Sequence, residues 1–470
     1  MRDQLAAWLS GGPLSQLLWR PWYDRVSLPL VTSLIFPLSR AWAAADAACA
    51  DAEDYDRDPQ AAFLKAVGGE TRSEAPSAPT LALFARGRRS YLEAESALET
   101  ALFARTAPDP AALAECAAVR DRRAVQYMAQ RTLFGLQHLR ERFPAVRFSI
   151  DAPDAVSEAQ AARLAEPGTA FAIPPEPPRL RLSHAIEGES YRRFYLRADG
   201  PADASDQAPG PLRAVVLEPP GSEPPRGAVV LAHGICMEED YWGGYSTLTH
   251  WLVRAGLAVV LPEGPWHGRR RPAGRCGGRY GGEVLVARGP AGLIGYFAAH
   301  VPEIGRLTAW ARARWERPVG LVGVSLGALT GQLVLAHAGG WEAAARPDAA
   351  LLVSPTDSVE RTVFEGSLTQ GMGATGALAF AGWTRERIEA LAALYEPPRD
   401  AAPALDPARI LVALGREDEV VPYATGLGRC DAWGIPPRNR FVRRQGHFAL
   451  SLGLPSQPAP LERLAALLSE

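Results

Sequence analysis

The sequence predicts an α/β fold, a mostly parallel β-sheet covered on both faces by helices and preceded by an α-helical N-terminal region. Three observations predict it. Up to about residue 150 apolar side chains recur at helical spacing; between residues 165 and 178 prolines interrupt any regular pattern; beyond them short apolar runs alternate with helical stretches. A chain of 470 residues exceeds the size at which a single core stops growing. The expected organisation is therefore a helical region over residues 1–164, a Pro-rich linker over 165–178 and a sheet domain over 179–470.

In the N-terminal region the opening Met1-Arg2-Asp3-Gln4 lacks the charged-then-apolar order of a secretory signal, so export is not expected. The most apolar stretch, Leu28 to Trp42, is broken by Pro29 and Pro37 and closed by Arg40, and is too short for a bilayer core of about 30 Å. It reads as a buried helix or two. The alternative is peripheral membrane contact through residues 19–42, where Trp19, Trp22, Tyr23 and Trp42 bracket the stretch beside Arg20, Arg25 and Arg40. Asp109-Pro110 then opens the clearest helix, an N-cap followed by a proline suited to the first turn. Val125, Met128, Thr132, Leu136, Leu139 and Phe143 are expected to form its apolar face, packed within the chain, with Pro144 as the stop.

Pro167, Pro174, Pro175, Pro177 and Pro178 allow neither helix nor sheet to continue through the linker. The strands follow: Tyr191 to Leu196, Arg213 to Leu217, Ala228 to Ala232, Leu257 to Leu261, Val319 to Val322, Ala349 to Val353, Ile410 to Leu414 and Arg440 to Arg443. Several are apolar on both faces, as strands covered by helices on each side must be. An insertion at about 355–403, helical over Arg385 to Leu394, separates two of them at a place where a lid over the site is expected.

Composition narrows the function. Hydrophobic residues at 47% and charged residues at 22% leave no tract too polar to fold. A net charge of −2 supplies no field that would gather nucleic acid, so none is expected as a partner. The five cysteines are odd in number and scattered, which fits a reducing cytoplasm, and no metal or cofactor is expected because no cluster has ligand spacing.

The chemistry centres on Val319 to Thr330, which reads as strand, Gly-x-Ser-x-Gly, helix. A serine at such a turn must sit in strained backbone, and Gly323 and Gly327 let neighbouring chain approach it. Ser325 is the candidate nucleophile; its plain alternative is a serine N-cap at an ordinary βα turn. A serine needs a base to activate it, and in this strand-and-helix order the acid and then the histidine follow. Asp418, in the acidic loop after the strand Ile410 to Leu414, is the expected carboxylate, with Glu417 and Glu419 as substitutes. His447, after the last strand and Gly446, is the expected base, held in its tautomer by Asp418. The amides of Leu326 and of Ile235 or Cys236, after His233-Gly234, are the candidate oxyanion donors. His233 itself reads as a brace for its loop.

These residues carry a resemblance. From about Gly227 to Phe448 the chain resembles the α/β-hydrolase superfamily: His233-Gly234, Glu263 to Gly268, the Ser325 turn, Gly415 to Pro422 and Gly446-His447. Tyr241-Trp242, the Ser325 turn, Val363 to Leu368, Leu405-Asp406-Pro407 and Glu417-Asp418 are further similar to the α/β-hydrolase domain-containing protein 18 family, from which Glu263-Gly264 departs. The resemblance implies a Ser-Asp-His hydrolase whose candidate substrates include lipid acyl esters.

Between Gly264 and Gly292 the loop carries Arg269, Arg270, Arg271, Arg275 and Arg279. Arg269, Arg270 and Arg271 are candidates to pair with an anionic group on the ester; the other reading is a solvated basic loop. The expected activity is carboxylic-ester hydrolysis of a small-molecule or lipid substrate; an amidase, thioesterase or acyltransferase would use the same triad. A non-catalytic scaffold would keep the fold without the chemistry.

Overall fold

A computed structural model describes residues 19–55, 58–68, 74–200, 205, 208–221, 223–237, 246–272, 278–398 and 401–470. Tyr241-Trp242, Arg275 and Cys276 lie outside the described residues.

Nine strands form one sheet: β1 (Leu180–Leu182), β2 (Arg192–Ala198), β3 (Arg213–Glu218), β4 (Gly227–Ala232), β5 (Leu257–Pro262), β6 (Val319–Val324), β7 (Ala349–Val353), β8 (Ile410–Gly415) and β9 (Arg440–Arg443). Their order is β1-β2-β3-β5-β4-β6-β7-β8-β9. The pairs from β5 through β4 to β9 are parallel, whereas β1, β2 and β3 are antiparallel to their neighbours. This is the α/β-hydrolase fold. The eight predicted strands are present within a few residues; β1, three residues emerging from the prolines, is an addition.

Every residue of β4, β6 and β8 is buried, as the two-sided apolar runs require. Alternate side chains feed two cores. Ala228, Val230, Leu321 and Leu352 point to the face covered by the helices Pro290–Trp315 and Leu326–His337. Val229, Leu231, Val322 and Leu351 point to the other, where the C-terminal helix Ala459–Leu467 is joined by Leu98, Leu102, Leu113 and Ala117 of the N-terminal helices. A third cluster, around Trp42, Phe84, Tyr127 and Phe134, extends to Leu368, Val420 and Val421 of the sheet region. Within the linker Pro167 opens a 3-10 turn, Pro167–Phe171, the residues from there to β1 form no helix or strand, and Phe171 is fully buried in the first core.

The Asp109 cap is present, its carboxylate accepting from the Ala112 amide at 2.9 Å. Of the predicted apolar face beyond it, Met128 and Phe143 are buried and the rest is not. A 3-10 turn over Gln130–Phe134 separates the helices Pro110–Ala129 and Gly135–Glu141, and Leu136 and Leu139 are left 76% and 70% exposed. The buried line instead runs Ala117, Arg120, Ala124, Tyr127, Arg131, Phe134, His138. Its polar members are buried because they have partners. Arg131 lies over the Trp42 ring, and His138 Nε2 donates to the Ser33 carbonyl at 2.9 Å.

The stretch from residue 19 to 42 divides likewise. Pro21–Leu30 and Phe36–Tyr55 are helices joined by a π-helical turn, and Pro21–Ala50 has the length and apolarity to cross a membrane, but most of it is buried inside the protein. Trp42 and Arg40 belong to the core. Arg40 forms an ion pair with Glu283 at 2.8 Å, both side chains fully buried, and also donates to the carbonyls of Val67, Ala66 and Gly278. Trp22, Val26 and Leu30, one turn apart, remain exposed. Removing one partner of a buried pair leaves an uncompensated charge. Arg40→Ala is therefore expected to destabilise the fold by about 3–5 kcal/mol, read from the shift in a urea unfolding curve.

Candidate active site

Ser325 sits between β6 and the helix Leu326–His337 with φ 56° and ψ −116°, a backbone conformation costly for any residue with a Cβ. The turn is this tight because the next chain is in contact: a Cβ on Gly327 would lie 2.0 Å from the Ala232 carbonyl oxygen. The strain thus raises the Ser325 hydroxyl from the sheet edge, where the parallel strands end.

His447 and Asp418 arrive there from loops after β9 and β8. Ser325 Oγ donates to His447 Nε2 at 2.9 Å, and His447 Nδ1 donates to Asp418 Oδ2 at 2.8 Å. Asp418 is held on both oxygens: Oδ1 accepts from the amides of Val420 and Val421 at 3.0 and 2.8 Å, and Oδ2 also accepts from Ser354 Oγ at 2.8 Å. Its neighbours are not substitutes for it. Glu417 pairs at the surface with Arg444 at 3.0 Å, and Glu419 is exposed. Burial disfavours a charged His447, but the charge and hydrogen bond of Asp418 and the charge of Asp24 outweigh it and raise the imidazole above its ordinary pKa.

The amides of Ile235 and Cys236 differ in their hydrogen bonds. The Cys236 amide donates to His267 Nε2 at 3.1 Å, whereas the amides of Ile235 and Leu326 have no acceptor among the described residues. Ile235, Ser325 and Leu326 border one cavity. His233 braces its loop: Nδ1 donates to the Gly234 carbonyl at 2.7 Å, and Nε2 accepts from the Gly264 amide at 2.9 Å. Burial lowers its pKa to about 4, so it stays neutral.

The arginines are placed elsewhere than expected. Arg269 pairs with Glu95 and Glu263 at 3.3 and 3.4 Å, Arg270 with Glu303 at 2.7 Å, and Arg271 with Asp46 at 3.3 Å. None of the three side chains exceeds 14% exposure. Arg279 donates to the Arg147 carbonyl and Ser149. These guanidinium groups tie the loop to the N-terminal helices and to the helix Pro290–Trp315; they are neither a solvated loop nor open to an anionic ester.

The cavity at Ser325, about 150 Å³, has no charged side chain in its lining among the described residues. The segment 355–403 supplies much of its wall as short helices, through Val359, Val363, Leu368, Met372, Leu378 and Tyr395. Leu293 and Leu329 also line the cavity.

Two residues with a part in this geometry have no signal in the local sequence. Ser354, at φ 55° just beyond β7, donates to Asp418 Oδ2. Asp24, on the helix Pro21–Leu30, reaches the His447 turn from the far end of the chain.

No protein-family model matches the chain, and no curated protein matches it significantly. Solved structures do. Acetyl xylan esterase 1 from Thermoanaerobacterium sp. JW/SL YS485 is 17% identical over 71% of this chain and 98% of its own, with a TM-score of 0.46. Acetyl xylan esterase from Paenibacillus sp. R4 is 16% identical over 71% and 99%, with a TM-score of 0.44. The 2,6-dihydroxy-pseudo-oxynicotine hydrolase is 15% identical over 82% and 88%, with a TM-score of 0.41.

Proposed function

We propose that this protein is a serine hydrolase that cleaves a carboxylic ester with an apolar acyl group, through an acyl-enzyme on Ser325. The observation that carries the reading is the unbroken hydrogen-bond chain Ser325–His447–Asp418 at the edge of an uncharged cavity. His447 Nε2 takes the hydroxyl proton as Oγ attacks the ester carbonyl, and Asp418 stabilises the imidazolium. The amides of Ile235 and Leu326 receive the charge that develops on the carbonyl oxygen. The imidazolium then protonates the departing alcohol, and a water activated by the same histidine releases the acid.

With Arg269, Arg270 and Arg271 committed to internal carboxylates, neutral esters are the better fit than anionic ones; the resemblance to the α/β-hydrolase domain-containing protein 18 family directs attention to lipid esters. Each buried methylene contributes about 0.8 kcal/mol, or roughly fourfold in binding. Across p-nitrophenyl esters, kcat/KM is expected to rise by up to roughly that factor per added acyl methylene until the cavity is filled. It should fall at least about tenfold when the acyl chain ends in a carboxylate, whose charge would be left unpaired there. A flat chain-length series, or a preference for the anionic ester, would remove the substrate assignment.

The base must be neutral to accept the proton. As pH falls through the raised pKa of His447, the imidazole protonates and kcat/KM is expected to decline, with its acidic limb above the position of an ordinary histidine. A rate independent of pH across that region would contradict His447 as the base.

A further inference from the structure

The His447 turn is attached to the N-terminal helix by contacts that packing alone does not require. Asp24 Oδ1 accepts from the Phe448 amide at 2.6 Å, and Asp24 Oδ2 accepts from the Ala449 amide at 3.0 Å. These are the two peptide groups directly after the histidine. On its other side, Gln445 Nε2 donates to the Trp19 carbonyl at 2.9 Å. Gly446 leaves room for the carboxylate, since a Cβ there would meet Asp24 Cγ at 2.4 Å.

We propose that Asp24 is a positioning residue for the catalytic histidine: it fixes the backbone that carries His447 and places a second negative charge beside the imidazole, so the N-terminal helix completes the hydrolase site. The inference rests on the proposed function and adds a residue that the Ser-His-Asp arrangement does not contain. Asp418 orients the ring through Nδ1; Asp24 never touches the ring and acts through the peptide plane and through space.

The surroundings leave this charge in place. Of the charged groups on the flanking elements, Arg25 and Arg444 both lie against Glu417 at the surface, at 4.0 and 3.0 Å, while Asp418 and Asp24 are the two whose charges favour the imidazolium. Tyr23, beside Asp24, has its pKa raised by burial and by the Asp24 charge and stays neutral. Asp24 is itself mostly buried, which raises its pKa, opposed by its two amide donors and by His447.

The test uses the full chain and the Asp24→Asn variant, which keeps one acceptor oxygen and loses the charge. The expected result is a fall of roughly tenfold in the plateau rate of fluorophosphonate labelling at Ser325, of the order of one partly screened charge contact. Its acidic limb should move to lower pH, and the His447 imidazole followed by NMR should titrate at correspondingly lower pH. A merely structural role would lower the amount of folded protein without moving the limb. Should Asp24→Asn not fold, Gly446→Ala provides the second variant, since its methyl group displaces the carboxylate, and the limb is expected to move the same way. A wild type that labels at Ser325, with variants that label and titrate as it does, overturns the role of Asp24 alone. A folded wild type that does not label at Ser325 overturns the proposed function and this role with it.

Discussion

Ser325→Ala is expected to lower kcat for ester hydrolysis by about 10⁵ to 10⁶-fold, the size of loss found when a hydrolase nucleophile is removed. The fold should survive. Ser325 Oγ makes its hydrogen bond to His447, and loss of one such bond costs on the order of 1 kcal/mol. Alanine inherits the same strained backbone at φ 56°, whereas glycine would not. Ser325→Gly should therefore be inactive and yet more stable than Ser325→Ala by about 1 kcal/mol, the lower end of what such a conformation stores. The pair of variants separates strain from chemistry: stability is read from urea unfolding, and turnover from product release. A Ser325→Ala protein retaining more than a hundredth of the activity would place the nucleophile elsewhere.

Asp418→Asn is expected to reduce kcat by about 10⁴-fold with little change in KM. In the wild type Oδ2 accepts from both His447 Nδ1 and Ser354 Oγ, while Oδ1 accepts from two amides. The four contacts on the two oxygens are all donors, so an Asn amide placed in either orientation sets its NH₂ against donors. Turning the NH₂ toward the ring favours the tautomer with its proton on Nε2, which cannot accept from Ser325. KM is spared because Asp418 does not border the cavity. A loss of less than tenfold would mean that this carboxylate does not set the tautomer.

The central sheet and the hydrogen-bonded trio were legible because each depends on local pattern. Two-sided apolar runs marked β4, β6 and β8, and the turn at Ser325 needed only adjacent glycines and a strand before it. Asp418 and His447 followed from their places after β8 and β9, since parallel strands deliver their following loops to one edge. What was misread depends on partners distant in sequence. Arg269, Arg270 and Arg271 look like a basic loop until Glu95, Glu303 and Asp46 are brought against them. The apolar face assigned to Leu136 and Leu139 lost to a line containing Arg120, Arg131 and His138, because hydrophobic periodicity does not register a polar side chain buried with a partner. Asp24 and Ser354 were invisible for the same reason: nothing near either residue announces the histidine or aspartate it meets.

The measurement that bears most directly on the account is reaction of the folded, full-length protein with a fluorophosphonate, followed by mass spectrometry of its peptides. One adduct on Ser325, abolished in Ser325→Ala and slowed at least about a hundredfold in His447→Ala, is the expected result. A folded wild type that forms no adduct at Ser325, or that reacts equally well after His447 is replaced, would contradict an activated serine at this sheet edge.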